Sequence, residues 1–363
     1  MIDFSTLQGL TIPEGNVTQI TDVSGRVIWA VSGGKAILEV EKITSDTYAG
    51  ETTYTGEQFI LLDIYPKTNG TVKIIYGGLT KTITDTSGVE EPNAQQVFFG
   101  TFNGVSDSVA TPASGELVIE GAFYTFGCSK YKSQNKNYNN AACSCITAVK
   151  EWGKITSIPP SAFDRCAKLS LTSLPETVTQ IGEYAFNGCT SLALTKLPSG
   201  ITSIGAYAFY MCTSLALTSL PSGITSIEDY TFWNCLALNI AALPEGLLSI
   251  GEEAFYMDTD KRGDMTMYGK TVTFPSTLTS IGGSAFRYRD YSGSGDYFYY
   301  TYLSGAVMLS KTPPTLGSDV FGHNGTCNNH DTEIVITVPR GCVEAYKAGE
   351  GWNSYTNRIV EAS

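Results

Sequence analysis

Residues 197–215 read Leu197-Pro198-Ser199-Gly200-Ile201-Thr202-Ser203-Ile204-Gly205-Ala206-Tyr207-Ala208-Phe209-Tyr210-Met211-Cys212-Thr213-Ser214-Leu215. Phe209 is the third of five phenylalanines, Phe163, Phe186, Phe209, Phe232 and Phe255, each 23 residues after the last, with Phe286 and Phe321 following at wider intervals. Five positions before the first six stand Ile158, Ile181, Ile204, Ile227, Ile250 and Ile281, and Leu316 holds that place before Phe321. Three residues earlier lie Ile155, Val178, Ile201, Ile224, Leu247 and Leu278. Beyond the phenylalanines come Leu169, Leu192, Leu215 and Leu238, then Leu171, Leu194, Leu217 and Ile240, and Leu-Pro or Phe-Pro pairs at Pro175, Pro198, Pro221, Pro244 and Pro275 close the units.

A unit this short has no second layer against which to bury its apolar stripe. Stacking such units joins the stripes into one continuous core, so the pattern predicts a solenoid. Within a unit, the alternation at Leu192 and Leu194 predicts a short strand in a parallel ladder, and Tyr184-Ala185-Phe186 predicts a helical or irregular turn on the opposite side. Cys166, Cys189, Cys212 and Cys235 each fall three residues after the repeat phenylalanine and therefore stack in successive coils. Buried free thiols filling the interior are the expected reading, since free cysteine is among the most buried residue types; a metal or disulfide ladder is the alternative.

The unit at 197–215 resembles the BspA-like, or Treponema-type, leucine-rich repeat, and the resemblance extends from about residue 152 to 363. The segment Val338-Pro339-Arg340-Gly341-Cys342-Val343-Glu344-Ala345-Tyr346-Lys347, with Gly351-Trp352, is similar to the way arrays of that family end, which implies a C-terminal cap. The resemblance implies a binding surface of the kind found in bacterial adhesins, with no catalysis and no cofactor. The fold class expected is mainly β with an α/β solenoid: an N-terminal immunoglobulin-like β-sandwich followed by a BspA-like leucine-rich-repeat solenoid.

Working toward the N-terminus, Ser129-Lys130-Tyr131-Lys132-Ser133-Gln134-Asn135-Lys136-Asn137-Tyr138-Asn139-Asn140 is polar and asparagine-rich, and residues 128–151 are expected to be a linker or long loop. Residues 34–127 alternate apolar runs with Gly, Asn, Asp and Ser turns at the spacing of an immunoglobulin-like sandwich. Residues 1–33 are too short for a domain. Gly9-Leu10-Thr11-Ile12-Pro13-Glu14-Gly15 and Gly70-Thr71-Val72-Lys73-Ile74-Ile75-Tyr76-Gly77-Gly78 resemble modules of structural and tail proteins of bacteriophages infecting Firmicutes. That resemblance implies an N-terminal attachment segment, tail proteins as partners and a virion location. A bacterial cell surface is the alternative location.

Composition limits the function. The formal charge of −12, from 23 Lys+Arg against 35 Asp+Glu, speaks against nucleic acid and anionic membranes as partners. No apolar run approaches the ~18 residues of a membrane span, and Met1-Ile2-Asp3-Phe4-Ser5 lacks the basic, apolar start of a secretory signal, so a chain neither inserted in a membrane nor exported by the usual route is expected. No nucleophile elbow, phosphate loop, zinc-protease helix or paired-carboxylate signature occurs in proper context. The partner expected is a protein or glycan receptor on a bacterial cell surface; a homo-oligomer fits a particle-borne adhesin.

Two insertions break the 23-residue metre, and insertions into solenoids lie on surface loops, where binding commonly resides. The first contains Arg262-Gly263-Asp264; Arg262 and Asp264 either present an integrin-type motif or form a solvated loop. The second, over 287–302, carries Tyr288, Tyr291, Tyr297, Tyr299, Tyr300 and Tyr302. Tyrosine among Ser, Gly and Asp suits an adaptable recognition loop or a sugar-stacking surface. The alternative is an insertion packed on its own solenoid or on a neighbouring subunit. His323, Cys327 and His330 form a weak candidate metal set near Asp331. Cys128, Cys143 and Cys145 could be packed thiols or a local disulfide. Glu252-Glu253, with Ala206-Tyr207 and Asp229-Tyr230 in the same repeat position, is expected to be solvated surface.

Overall fold

A computed structural model describes residues 19–21, 27–30, 34–40, 43–44, 58–66, 71–76, 79–84, 95–102, 105–106, 115–121, 123–128, 146–259, 265–291, 297–322 and 334–363. In the N-terminal part, two antiparallel five-stranded sheets form. One has the order Ile146–Trp152, Gly34–Val40, Gly115–Gly121, Thr71–Tyr76, Leu79–Thr84. The other runs Phe123–Cys128, Gln58–Pro66, Gln95–Phe102, Val105–Ser106, with Ile43–Thr44 also paired to Gln58–Pro66. In Thr71–Tyr76, Val72, Ile74 and Tyr76 are buried while Thr71 and Lys73 are exposed, the period-two signature of a half-buried strand. Ile64 and Phe126 from the second sheet belong to the same core as Ala36, Leu117, Ile119 and Ile146 from the first.

The expected linker over 128–151 is corrected at its end. Ile146–Trp152 is a strand, paired antiparallel with Gly34–Val40 through two register shifts. Those irregularities break the simple alternation that sequence reading looks for. Residues 129–145, including the asparagine-rich run, lie outside the described residues.

From residue 153 the chain winds into coils. Phe163, Phe186, Phe209, Phe232, Phe255 and Phe286 are all buried and stack face to face, with ring centroids 5.3, 5.4, 5.6, 5.3 and 5.0 Å apart. Each such side chain removed from water contributes about 1.5–3 kcal/mol, so the phenylalanine column is a principal stabilising element. The cysteine column packs beside it. Sγ of Cys189, Cys212 and Cys235 each donates at 3.0 Å to the carbonyl of Phe163, Phe186 and Phe209 respectively. The thiols are free and buried, which places them as packing groups with their one donor satisfied.

The strand expected at Leu192 and Leu194 is not where the ladder forms. In these coils the parallel rungs run through Ser157–Ile158, Gln180–Ile181 and Ser203–Ile204, then Ser226–Ile227, Ser249–Ile250, Ser280–Ile281 and Thr315–Leu316. Leu192 and Leu194 are fully buried, as alternation demands. Adjacent coils are joined there through bonds such as Ala193 N–H to the Leu171 carbonyl (3.2 Å) and Ala216 N–H to that of Leu194 (3.0 Å), without strand pairing. A second parallel ladder on that side starts from an isolated bridge of Ala242 to Thr273 and runs from Thr271–Phe274 through Gly305–Met308, Val335–Val338 and Ile359–Glu361. Burial pattern reveals an extended backbone; whether its amides find reciprocal partners depends on the neighbouring coil.

The Ser–Ile ladder is interrupted once. Gly182, Gly205, Gly251, Gly282 and Gly317 follow the pairs, and the amides of Gly182, Gly205 and Gly251 bond back to Ile158, Ile181 and Ile227 at 2.9, 2.9 and 2.7 Å. A Cβ at Gly205 would lie 2.5 Å from the Glu183 nitrogen, and one at Gly251 2.5 Å from that of Asp229, so the rung requires glycine. Glu228 occupies this place in the coil of Phe232. There Ser203–Ile204 and Ser226–Ile227 fall into separate sheets, and among the described residues no bond joins the Glu228 amide to Ile204.

The ends of the solenoid are covered. At the first coil, Trp152 and Phe126 meet Phe163 edge-on at 5.8 and 6.5 Å. At the last, Trp352 is fully buried and its indole donates to the Pro314 carbonyl at 2.7 Å, while the Tyr346 hydroxyl donates to Ser310 at 2.8 Å. The Phe321 amide donates to the Tyr355 hydroxyl at 3.1 Å. These aromatic lids keep the terminal phenylalanines of the column from water.

Candidate functional site: an aromatic strip along the turns

Each coil turns just before its phenylalanine through a residue in the left-handed region, and none of these residues is glycine: Ser161, Tyr184, Tyr207, Tyr230, Glu253, Ser284 and Asp319, with φ between 48° and 58°. Such a conformation costs an L-residue about 1–2 kcal/mol. Coil-to-coil bonds offset it: the amides of Tyr184, Tyr207 and Tyr230 donate to Ala206, Asp229 and Glu252 at 3.0, 3.0 and 2.9 Å. Three neighbouring coils place tyrosine there. Their rings stack nearly parallel, Tyr184 to Tyr207 at 4.6 Å and 12°, Tyr207 to Tyr230 at 4.7 Å and 7°.

A second row runs alongside, one position after Phe209, Phe232 and Phe255. Tyr210 stacks on Trp233 at 4.5 Å and Trp233 on Tyr256 at 5.7 Å, while Tyr207 and Tyr210 join the rows at 5.7 Å. All but Tyr256 are partly exposed. The rim is acidic: Glu183, Asp229 and Glu252 are exposed, and Glu253 accepts the Trp233 indole at 3.1 Å. Burial raises the Glu253 carboxyl. Burial, then neighbouring carboxylates and phenols, pushes the Tyr230 phenol up to about 12, and the Tyr184, Tyr207 and Tyr210 phenols are raised in the same sense. These hydroxyls therefore stay protonated donors at neutral pH. At the far end Arg289 clasps Asp258 through two hydrogen bonds, one of them at 3.0 Å.

The tyrosine-rich insertion is a hairpin, Arg287–Tyr291 against Tyr297–Thr301, and its first strand continues the solenoid by pairing parallel with Met257–Asp258. This corrects two expected ligand residues. Tyr288 and Tyr302 are 1% and 0% exposed, and the Tyr302 hydroxyl donates to the Phe255 carbonyl at 2.9 Å; both are core. Neighbours on a strand point to opposite faces, so a hairpin laid on a solenoid must bury part of its aromatic content. Tyr300 packs on Tyr288 at 6.3 Å, and the Arg287 guanidinium sits 3.6 Å over the partly exposed Tyr299 ring. Tyr291 and Tyr297 face each other in backbone register, and their side chains lie outside the description. Arg262, Asp264, His323, Cys327, His330, Cys143 and Cys145 are outside the described residues, as is the Cys128 side chain. Among the described residues no three His, Cys, Asp or Glu side chains gather as a metal site requires, and no helix is long and apolar enough to cross a membrane.

Sequence reading missed the strip. Its signal was the recurrence of tyrosine two positions before Phe186, Phe209 and Phe232, and of an aromatic residue one position after Phe209, Phe232 and Phe255.

Residues 156–292 match, in six copies, the family model described as the BspA type leucine rich repeat region. Over those residues the coils of the solenoid are similar to the BspA type. Among solved structures, a leucine rich repeat protein of T. pallidum is 27% identical over 36% of this chain and 69% of its own, with a TM-score of 0.28. A leucine rich cell surface protein of Faecalibacterium prausnitzii is 18% identical over 58% of this chain and 77% of its own, with a TM-score of 0.31. A leucine-rich repeat protein of Bacteroides ovatus is 16% identical over 65% of this chain and 74% of its own, with a TM-score of 0.27. No curated protein sequence matches the chain. The aromatic strip lies wholly within the matched residues 156–292.

Proposed function

We propose that this protein is a non-enzymatic adhesin that binds a receptor on a bacterial cell surface through its BspA-type solenoid. The observation that carries the reading is the pair of aromatic rows, partly exposed over three coils and held on a scaffold whose stacked cysteine thiols Cys189, Cys212 and Cys235 each donate to a carbonyl. Binding surfaces on rigid repeats need little reorganisation, which favours affinity. In its finer form, the protein is a tail-associated receptor-binding protein of a phage or prophage, with residues 1–33 as the attachment segment and 34–127 as an immunoglobulin-like spacer. That form rests on the resemblance at 9–15 and 70–78. Several copies on one particle, as a homo-oligomer or side by side, would sum weak contacts into avidity. The alternative is a bacterial surface adhesin for host matrix proteins or other cells.

The test is binding of the labelled full chain to a panel of Firmicutes cells and to immobilised matrix proteins, alongside a Tyr184→Ser/Tyr207→Ser/Tyr230→Ser variant with a wild-type circular dichroism spectrum. Strain-selective cell binding that the variant loses is the expected result. Matrix binding without cell preference would transfer the assignment to the host-directed adhesin, and equal binding by the variant would remove the strip from the function.

A further inference from the structure

The two aromatic rows stack face to face along the solenoid axis, and this decides which chemistry they offer. A sugar or base that stacks on aromatic rings needs a free face. In the first row neighbouring rings cover one another at 4.6 and 4.7 Å and within 12° of parallel. What the partly exposed side chains present outward is ring edge and phenol hydroxyl, once per coil. The result is a comb of three hydroxyl groups at an even pitch, parallel to the solenoid axis.

Resting on the strip as the binding surface, we propose that the comb of Tyr184, Tyr207 and Tyr230 binds a neutral linear polysaccharide laid along the solenoid axis, one sugar unit to each coil. The pitch is close to the advance of one pyranose in an extended chain. An extended peptide does not fit it, because the backbone rises about 3.3 Å per residue and returns to the same face only every second residue. The acidic rim of Glu183, Asp229, Glu252 and Glu253 repels anionic polymers and can accept hydrogen bonds from sugar hydroxyls. Raised phenols leave the comb donating across the neutral range. The backbone adds a separate observation. A bulky side chain at positive φ is an outlier, the same turn is made with Ser161, Ser284 and Asp319 in other coils, and tyrosine occupies it in three consecutive ones. Outliers repeated at a surface where they are not required for the turn point to a use at that surface.

The experiment uses the full chain and two triple variants, Tyr184→Phe/Tyr207→Phe/Tyr230→Phe and the serine variant above, against linear neutral oligosaccharides from disaccharide to hexasaccharide in several linkages. Oligogalacturonates serve as the anionic control and preformed amyloid fibrils as a second, because stacked strands repeat at about 4.7–4.9 Å and would also match the comb. The phenylalanine variant keeps the stacks and removes only the hydroxyls, so its melting temperature reports whether the fold is intact. Expected are saturable binding to at least one neutral series, affinity that climbs to the trisaccharide and then levels, and a loss of roughly tenfold or more in the phenylalanine variant. Equal binding by that variant, preference for the anionic chain, binding to fibrils alone, or no saturable binding to any neutral series would overturn the proposal. Cell binding separates the two levels: if the serine variant loses cells and the phenylalanine variant keeps them, the strip stands and the hydroxyl comb falls.

Discussion

Cys212 shows how much one side chain in a repeat is asked to do. Its sulfur fills the space beside the phenylalanine column and its S–H meets the Phe186 carbonyl, with Cys189 and Cys235 repeating the arrangement. Burial is the leading reason that all three thiols are pushed well above their ordinary value of 9.0. Because the folded value is raised, the stability these groups contribute is whole below 9.0 and is lost as pH rises toward the folded values. Melting temperature is therefore expected to be level between roughly pH 7 and 8.5 and to fall beyond the ordinary thiol value. Alkylation at about pH 8 should leave these thiols unlabelled until the chain is unfolded. Rapid labelling in the native protein would refute the packing role. Tyr302 supplies a second test at this scale. Its buried hydroxyl serves Phe255, so Tyr302→Phe should cost about 1 kcal/mol in denaturant unfolding and leave cell binding unchanged.

At the scale of the coil, the position after each Ser–Ile pair sets how closely two turns approach. Gly251→Ala puts a methyl against the Asp229 nitrogen and should destabilise by about 2 kcal/mol or more. Glu228→Gly works in the opposite direction. It lets the missing rung to Ile204 form, worth about 0.5–1.5 kcal/mol per bond against about 0.5–1 kcal/mol of glycine entropy. A small rise in melting temperature and new exchange protection at the residue 228 amide are expected; a lower melting temperature would show that the carboxylate, which accepts the Ser226 hydroxyl, stabilises the gap. The coil was legible in sequence to the extent that burial has a period. The phenylalanine, isoleucine and cysteine columns are all buried where the 23-residue metre puts them. Rungs were not legible, because Leu192 and Ile204 are equally buried and only the neighbouring backbone decides which segment pairs. Nor was the strip: Tyr207 alone is an ordinary surface tyrosine, and it acquires meaning from Tyr184 and Tyr230, brought within ring-stacking distance by the winding. The hairpin misled for the converse reason, since tyrosine density counts residues without distinguishing the inward face that takes Tyr288 from the outward one.

Across the whole molecule, the N-terminal sheets do more than precede the solenoid. Strand Ile146–Trp152 sits at the edge of one sheet and hands Trp152 to Phe163, with Phe126 of the other sheet against both. A chain beginning at residue 153 loses that lid and uncovers the first phenylalanine. It should melt lower than the full chain and self-associate in size-exclusion chromatography, whereas an intact monomer of unchanged stability would make the solenoid self-sufficient.

The broken rung at Glu228 also has a mechanical meaning. Pulled along its axis, this solenoid is a spring with a notch: turns on either side are riveted by Ser–Ile rungs, while the pair at the notch lacks that rung and is held by its turn-side bonds, from the Tyr207, Phe209 and Met211 amides to Asp229, Thr231 and Trp233, and by stacked rings, Tyr207 on Tyr230, Phe209 on Phe232 and Tyr210 on Trp233. Under axial load the solenoid would lengthen there first, and single-molecule extension of wild type and Glu228→Gly would read that yield point directly.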